Sequence, residues 1–535
     1  MTRSIAPEAA EHRGVEVAPP AAARPRAASA EPDERTVTWI IPLVVLIIGS
    51  FMSVLDTSIV NVAIPKMQVA LSAAPDDIEW VVTAYTLVLG IVVPLTGWMG
   101  SRIGMVRLYI LSMIGFSLTS ALCGVAWDLN SMVAFRVLQA IPGGILPVIT
   151  MTMLLRIVPP SKLGTAMGLY GLGVVVAPAV GPTLGGYFVE YVDWRLIFVV
   201  NVPVGLVGAV AAAAVFPRDR PTSWPRFDTW GFVTVAYGMA ALLLAFSKGH
   251  DWGWTGYRIL LLFVSSALVL ATWVVIELEV DHPLIDLRIM LTWPYINSLL
   301  LMAFAMAGLF TGLFFIPQFL QVVQGMQALD TGLVLLPAAA VLALMMPISG
   351  RLYDTIGPRW LAVAGMLVMG YASYMLAQLS PDTPRSTVEI AMAIRNFGVG
   401  LCMMPIMSSG LAALPKTLSG SGSAMNNVMQ RVVSSVAVAA FGGMNAAAAA
   451  QLLADRGALP RGGAAALPEI TAAKALGPEG MLPMYEQLTR EITTQTYNNG
   501  FYLVTILCVM GAVLALPLRS GPAKVAGGEP AIVEM

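Results

Sequence analysis

Charge is scarce in this sequence. Only 11% of its residues are Asp, Glu, Lys or Arg, against roughly 25% in soluble domains, which excludes a water-soluble fold. Histidine and cysteine are rarer still, with three of each in 535 residues. His12, His250 and His282 are scattered, and Cys123, Cys402 and Cys508 sit in separate apolar runs without metal-ligand spacing. These absences argue against a metal centre, a disulfide framework or a histidine-based catalytic cluster, and the cysteines read as packing residues. The chain has no Walker-type phosphate loop, so an ion gradient is the expected energy source rather than ATP. A net charge of −1 with no basic patch or base-stacking module excludes nucleic acid as a partner. No cofactor is implied.

Apolar residues make up 57% of the chain. They fall into about fourteen runs, each near the roughly 20 residues a helix needs to cross a hydrocarbon core. The runs begin near Trp39, Trp80, Arg107, Ser131, Leu163, Trp194, Asp228, Tyr257, Trp293, Leu329, Trp360, Thr387, Leu418 and Gly500. Barrel strands would be shorter and would alternate in polarity, so the expected fold class is an all-α membrane protein. The lipid bilayer is then its first partner.

Residues 1–38, rich in Ala, Pro, Glu and Arg, are expected to form a disordered cytoplasmic tail. The run starting at Trp39 is too long for a signal-peptide core and reads as the first span. With the N-terminus inside, short inner loops carry Arg102, Arg107, Arg156, Lys162, Arg218, Arg220, Arg226, Arg288, Arg351, Arg359 and Lys416. The short outer loops retain Lys66, Arg195, Lys248, Arg258 and Arg385. This bias places both termini in the cytoplasm of an inner (plasma) membrane protein. Residues 447–498 then form an external loop, and residues 519–535 a second cytoplasmic tail.

The chain repeats itself. Gly97-Trp-Met-Gly-Ser-Arg-Ile-Gly104 returns as Gly350-Arg-Leu-Tyr-Asp-Thr-Ile-Gly357, Arg136 with its following glycines and Pro147 returns as Arg395 with Gly398, Gly400 and Pro405, and Gly164-Thr-Ala-Met167 returns as Gly422-Ser-Ala-Met425. Three matches in one order at nearly one offset indicate a duplicated six-helix unit: residues 39–216, then two extra helices over 228–277, then 293–518. Parallel halves of this kind place a solute site near mid-membrane between them, and rocking alternates its exposure.

The motifs Leu55-Asp56-Thr-Ser-Ile-Val-Asn61-Val-Ala-Ile-Pro65, Gly97 to Arg107, Arg136-Val-Leu-Gln139, the fifth-span series from Gly168 to Gly186, and Trp194 to Pro203 together resemble the fourteen-span drug:proton antiporter family of the major facilitator superfamily, the EmrB/QacA type. The resemblance covers roughly Trp39 to Leu518. It implies the major facilitator fold and a non-enzymatic, proton-coupled antiporter that exports small amphipathic or lipophilic compounds by alternating access. Two positions depart from the family pattern: Ser101 stands where the first inner loop usually has an acid, and Ala140 where the fourth span usually has glycine.

Among candidate site residues Asp56 comes first, because an acid within a span costs roughly 2.5–3.5 kcal/mol on insertion scales and usually faces a cavity or a partner. Ser53, Asp56 or Thr57, and Asn61 fall on roughly one side of a helix. Arg136, with Gln139 on the same face, is the expected partner, and the resemblance assigns Asp56 and Arg136 to proton coupling. A fixed structural pair is the competing reading. Asn61, Gln139, Arg395, Asn427 and Arg431 are candidates for a substrate or ion pathway, against ordinary helix-to-helix hydrogen bonding. Gly97, Arg102, Gly104, Gly350, Asp354 and Gly357 are the gating candidates of the repeated loops. Pro178, Gly181, Pro182, Gly185 and Gly186 match the antiporter motif, although small residues also serve static packing.

Expected partners beyond lipid are protons and a small-molecule substrate. An envelope adaptor protein and the oligomeric state are left open. A proton-coupled importer would share this fold and most of these residues; a membrane sensor or enzyme is the remaining alternative class.

Overall fold

The computed structural model describes residues 2, 39–217, 226–458 and 478–518. The two expected tails, the cations Arg218 and Arg220, and the middle of the 447–498 segment lie outside them. The body from Ile40 onward is one compact unit, built from α1 (Ile40–Ala70), α2 (Trp80–Val92), α3 (Leu95–Ile103), α4 (Met105–Gly124), α5 (Leu129–Ile157), α6 (Leu163–Tyr191), α7 (Asn201–Val215), α8 (Thr229–Trp252), α9 (Tyr257–Glu279), α10 (Trp293–Gln318), α11 (Ala328–Ile356), α12 (Pro358–Leu376), α13 (Arg385–Ala412), α14 (Ser419–Ala458) and α15 (Pro478–Ala515).

Eleven helices among the described residues are long and apolar enough to cross a membrane, or twelve if α2 and α3 form one span bent by 60°. Pro94 sits at that bend, where it removes a backbone donor. The expected fourteen is therefore not reached on length and composition. The two other places are helical, as α12 and α14. α14 carries Asn426, Asn427, Gln430, Arg431, Ser434 and Ser435 in its first half. Within the expected external segment, 447–458 continue α14 and 478–498 begin α15 as helix.

Helices α1 to α7 pack as one set and α10 to α15 as another. In the first set Leu46, Met52, Tyr109, Met113, Phe116, Leu146 and Ala212 form a fully enclosed core. Lipid supplies little hydrophobic force between helices, so close contact and buried hydrogen bonds hold them. Tyr109 illustrates this by donating to the Val45 carbonyl at 2.7 Å and accepting from the Gly49 amide at 3.2 Å.

The sets meet along two seams, α6 against α11 and α14 against α5, while α8 lies against both α2 and α14. Lys248 of α8, almost fully buried, pairs with Glu79 at the start of α2. A carboxyl–hydroxyl cap starts α5: Asp128 accepts from the Ser131 amide at 2.8 Å, and Ser131 Oγ accepts from the Asp128 amide. The Ser131 hydroxyl and then its amide hold the Asp128 carboxyl below its ordinary value. Its capping contribution is thus complete above the ordinary carboxylate range and fades as pH falls through the lowered value.

The repeated loops adopt one geometry. Gly104 (φ 96°) separates α3 from α4, and Gly357 (φ 87°) separates α11 from α12. A Cβ there would strain the left-handed backbone. Gly357→Ala is expected to destabilise the protein by about 1–2 kcal/mol, measurable as a lowered thermal midpoint in detergent; an unchanged midpoint would contradict this strain.

Candidate functional site

The expected pair of ionisable residues meets in the interior. Asp56 on α1 is 0% exposed and Arg136 on α5 is 1% exposed. Arg136 Nη1 donates to Asp56 Oδ2 at 2.5 Å and to Gln139 Oε1 at 2.7 Å. Gln139, one helical turn along α5, uses its amide to donate to Asp56 Oδ1 at 3.0 Å. The i, i+3 spacing puts both side chains on one face.

Two further residues complete the cluster, and neither stood out as a site residue in the sequence. Asn201, at the start of α7, donates from Nδ2 to Asp56 Oδ1 at 3.2 Å and lies 3.2 Å from Ser120 Oγ, whose hydroxyl donates to the Phe198 carbonyl at 2.8 Å. Tyr85 of α2 lies under the Arg136 guanidinium, 3.8 Å from ring centroid to Cζ. Arg136 Nε reaches the Val81 carbonyl at 3.3 Å. Asn201 had a signal, being a lone amide inside an apolar run. Tyr85 had none, because an aromatic ring is unremarkable in such a run.

The cluster joins α1, α2, α5 and α7. Its carboxylate accepts from three side chains, which offsets the large cost of burying a charge. Protonating Asp56 would remove the counter-charge of Arg136, and moving α5 relative to α1 would separate the two. The arrangement can therefore link occupancy of one proton to helix position.

Other candidates are placed differently. Asn61 is exposed and stands apart from the Asp56 cluster. Ser53 donates to the Gly143 carbonyl at 2.9 Å, and Thr57 back-bonds to Ser53 within α1. Asn427 donates to the Ser423 carbonyl of its own helix. Arg395 is 1% exposed but meets carbonyls: it donates to Gly308, to Leu309 at 3.1 Å and to Asn396 Oδ1 at 3.4 Å. Arg431 Nε is buried without a partner.

The loop motifs are joined across the two sets at one point. Asp354, near the end of α11, accepts from the Gly164 amide at 2.8 Å and the Thr165 amide at 2.9 Å, and from the Thr165 hydroxyl at 2.7 Å. These are first-turn amides of α6, which otherwise lack partners and carry the positive end of the helix dipole. A Cβ on Gly164 or Gly350 would overlap the backbone of the other, and one on Gly168 would overlap Met346 and Pro347. Ser101, at the equivalent place in the first loop, bonds back to the Gly97 carbonyl at 3.1 Å. Arg102 lies 5.2 Å over the Trp98 ring.

On the antiporter-motif helix, Gly181 packs on Ser58 and Gly185 on Ile59 of α1, whereas Gly186 faces open space. The Pro178 carbonyl accepts from the Ser58 hydroxyl at 3.2 Å. α6 remains one helix through Pro178 and Pro182. An apolar groove of about 720 Å³ lies between α1, α6 and α7, lined by residues such as Ile47, Phe51, Leu172 and Val204, and it does not include Asp56.

The sequence matches the Major Facilitator Superfamily over residues 46–438. It is 36% identical over 394 residues to the uncharacterized MFS-type transporter YhcA of Bacillus subtilis (strain 168), covering 74% of each chain. It is 30% identical over 400 residues to the multidrug export protein EmrB of Escherichia coli (strain K12), covering 74% of this chain and 78% of that one. The proton:xylose symporter XylE shares the fold at a TM-score of 0.59 and 11% identity, over 90% of this chain and 96% of that one. Relatives over most of the chain and a shared helical fold make this a multi-pass membrane transporter rather than an enzyme: the chain belongs to the Major Facilitator Superfamily and is related to its multidrug efflux proteins.

Proposed function

We propose that this protein is a fourteen-span, proton-coupled antiporter that exports small amphipathic or lipophilic compounds, with both termini in the cytoplasm. The observation that carries the reading is the enclosed Asp56 carboxylate, held by residues from two other helices and neutralised by Arg136. A buried ionisable residue in a span is a functional site by default, and export is what a relative's name supports.

In this reading Asp56 takes a proton from outside and releases it inside, and the Arg136 contact alternates with protonation. Asp354 on the α6 amides and the Gly164–Gly350 crossing close the cytoplasmic end in the present conformation. A single proton crossing about 100 mV supplies about 2.3 kcal/mol, enough for a gradient of several tens-fold.

The test uses inverted membrane vesicles acidified by respiration, with a panel of neutral, cationic and anionic aromatic compounds and a pH-sensitive dye. At least one compound should release vesicle protons through wild type and none through Asp56→Asn. Compound movement with the proton flow, rather than against it, would instead establish an importer.

A further inference from the structure

The second set of helices holds positive charge that no carboxylate among the described residues answers, Arg395 being buried and Arg431 half-buried. Arg395, from the repeat of the Arg136 motif, is 1% exposed and is met by carbonyl and amide oxygens alone, with its Nε unpartnered. A Cβ on Gly312 of α10 would run into its guanidinium, so the neighbouring helix offers only backbone at that point. Arg431 is barer. Its Nε is buried with no partner, and among the described residues none accepts a hydrogen bond from its guanidinium. Neither arginine has a carboxylate within ion-pair distance among the described residues.

Arg431 also has a telling position. α14 packs against α5 and α8 across the seam between the two sets, and Arg431 lies within electrostatic reach of Tyr85, the ring that carries Arg136. The packing of α14 on α5, the helix of Arg136, brings Arg431 to the same seam as the Asp56 cluster. Asp56 cannot neutralise it, because Arg136, Gln139 and Asn201 already hold that carboxylate. Arg431 is half-buried, and a cation drawn partly out of water without a counter-charge carries a desolvation cost that an anionic ligand relieves.

We propose that Arg431 is an anion-binding residue of the transport site and that the exported compounds carry an acidic group, such as a carboxylate or sulfonate, on an apolar body. This rests on the transport reading above and specifies its substrate class. Arg395 adds positive potential without touching the ligand. A lipophilic cation would meet two uncompensated arginines and be repelled. The charge balance differs accordingly. One proton entering for one monoanion leaving moves two elementary charges in the same sense, whereas exchange for a monocation moves none.

The experiment measures equilibrium binding of radiolabelled aryl carboxylates and aryl sulfonates, and of their size-matched amines, to purified full-length protein in nanodiscs. Wild type should hold at least one acid more tightly than its amine. Arg431→Gln should weaken that acid about 10- to 100-fold, as loss of a charged hydrogen bond does, and Arg431→Lys should restore part of it. Tighter binding of amines, no binding of any acid, or an acid affinity within twofold of wild type in Arg431→Gln would overturn the proposal. If Arg431→Gln fails to fold, the wild-type preference and the partial loss in Arg431→Lys decide it.

Proteoliposomes separate this inference from the antiport reading. Acid binding without proton exchange would remove antiport and leave the anion site. Proton exchange for amines alone, insensitive to membrane potential, would leave antiport and remove the anion site.

Discussion

Asp56→Asn is expected to lower proton-driven exchange by at least about 100-fold, the scale on which a positioned proton-transferring group acts, while substrate still binds. The amide keeps the shape of the carboxylate and an oxygen for Gln139 and Asn201, both within 3.2 Å of Asp56 Oδ1. It cannot take up a proton, and it leaves Arg136 buried without its counter-charge.

Breaking a buried pair by removing one partner costs about 3–5 kcal/mol, so a loss of transport alone would not distinguish coupling from folding. The double variant Asp56→Asn/Arg136→Gln removes both charges and should recover most of the thermal midpoint, since replacing both members of a buried pair is often neutral. It should remain unable to couple protons. Proton flux in proteoliposomes, read beside the thermal midpoint in detergent, distinguishes the cases: flux that returns with stability would make the pair structural only.

The second large effect is expected at the crossing of α6 and α11. Gly164→Val places branched carbon against the Gly350 backbone and the Tyr353 ring. The obstruction at Gly350 is main chain, which cannot turn aside as a flexible side chain can. The two helices must separate at that end and take Asp354 away from the Gly164 and Thr165 amides. Those contacts are of the charge-assisted kind, about 1.5–3 kcal/mol each. A shift of only 1–3 kcal/mol moves a two-state equilibrium about 5- to 150-fold.

A cysteine at Met346, which is 1% exposed, reports the opening. It should react with a water-soluble maleimide at least about tenfold faster in Gly164→Val and in Asp354→Ala than in the otherwise native chain. Cys123, Cys402 and Cys508 are all buried, so background labelling is low. Unchanged reactivity in both variants would show that the Asp354 contact does not control this end.

Much of the candidate site was legible because membranes make polar residues conspicuous. Asp56 and Arg136 stood out by the cost of charge in a span, and Gln139 by its one-turn spacing from Arg136. Gly104 and Gly357 were marked by the repeat, and the structure explains them by positive φ. Asn201 was passed over as part of a motif, although it touches the carboxylate. Asn61, read as company for Asp56 on a helical face, is exposed. Helical periodicity names a face but not the element that covers it.

The sequence by itself determined that the chain crosses a membrane repeatedly as helices, that it is built on a duplicated unit, and that acids and arginines are buried in it. Scarcity of charge, run length and self-similarity are properties of the chain alone. Only the tertiary structure decided which arginine is neutralised. Arg136 and Arg395 come from the same repeated motif and are equally buried, yet one meets Asp56 and the other meets carbonyls beside Gly312. An ion pair depends on distances of a few ångströms between helices far apart in sequence, and these are set by how the helices cross.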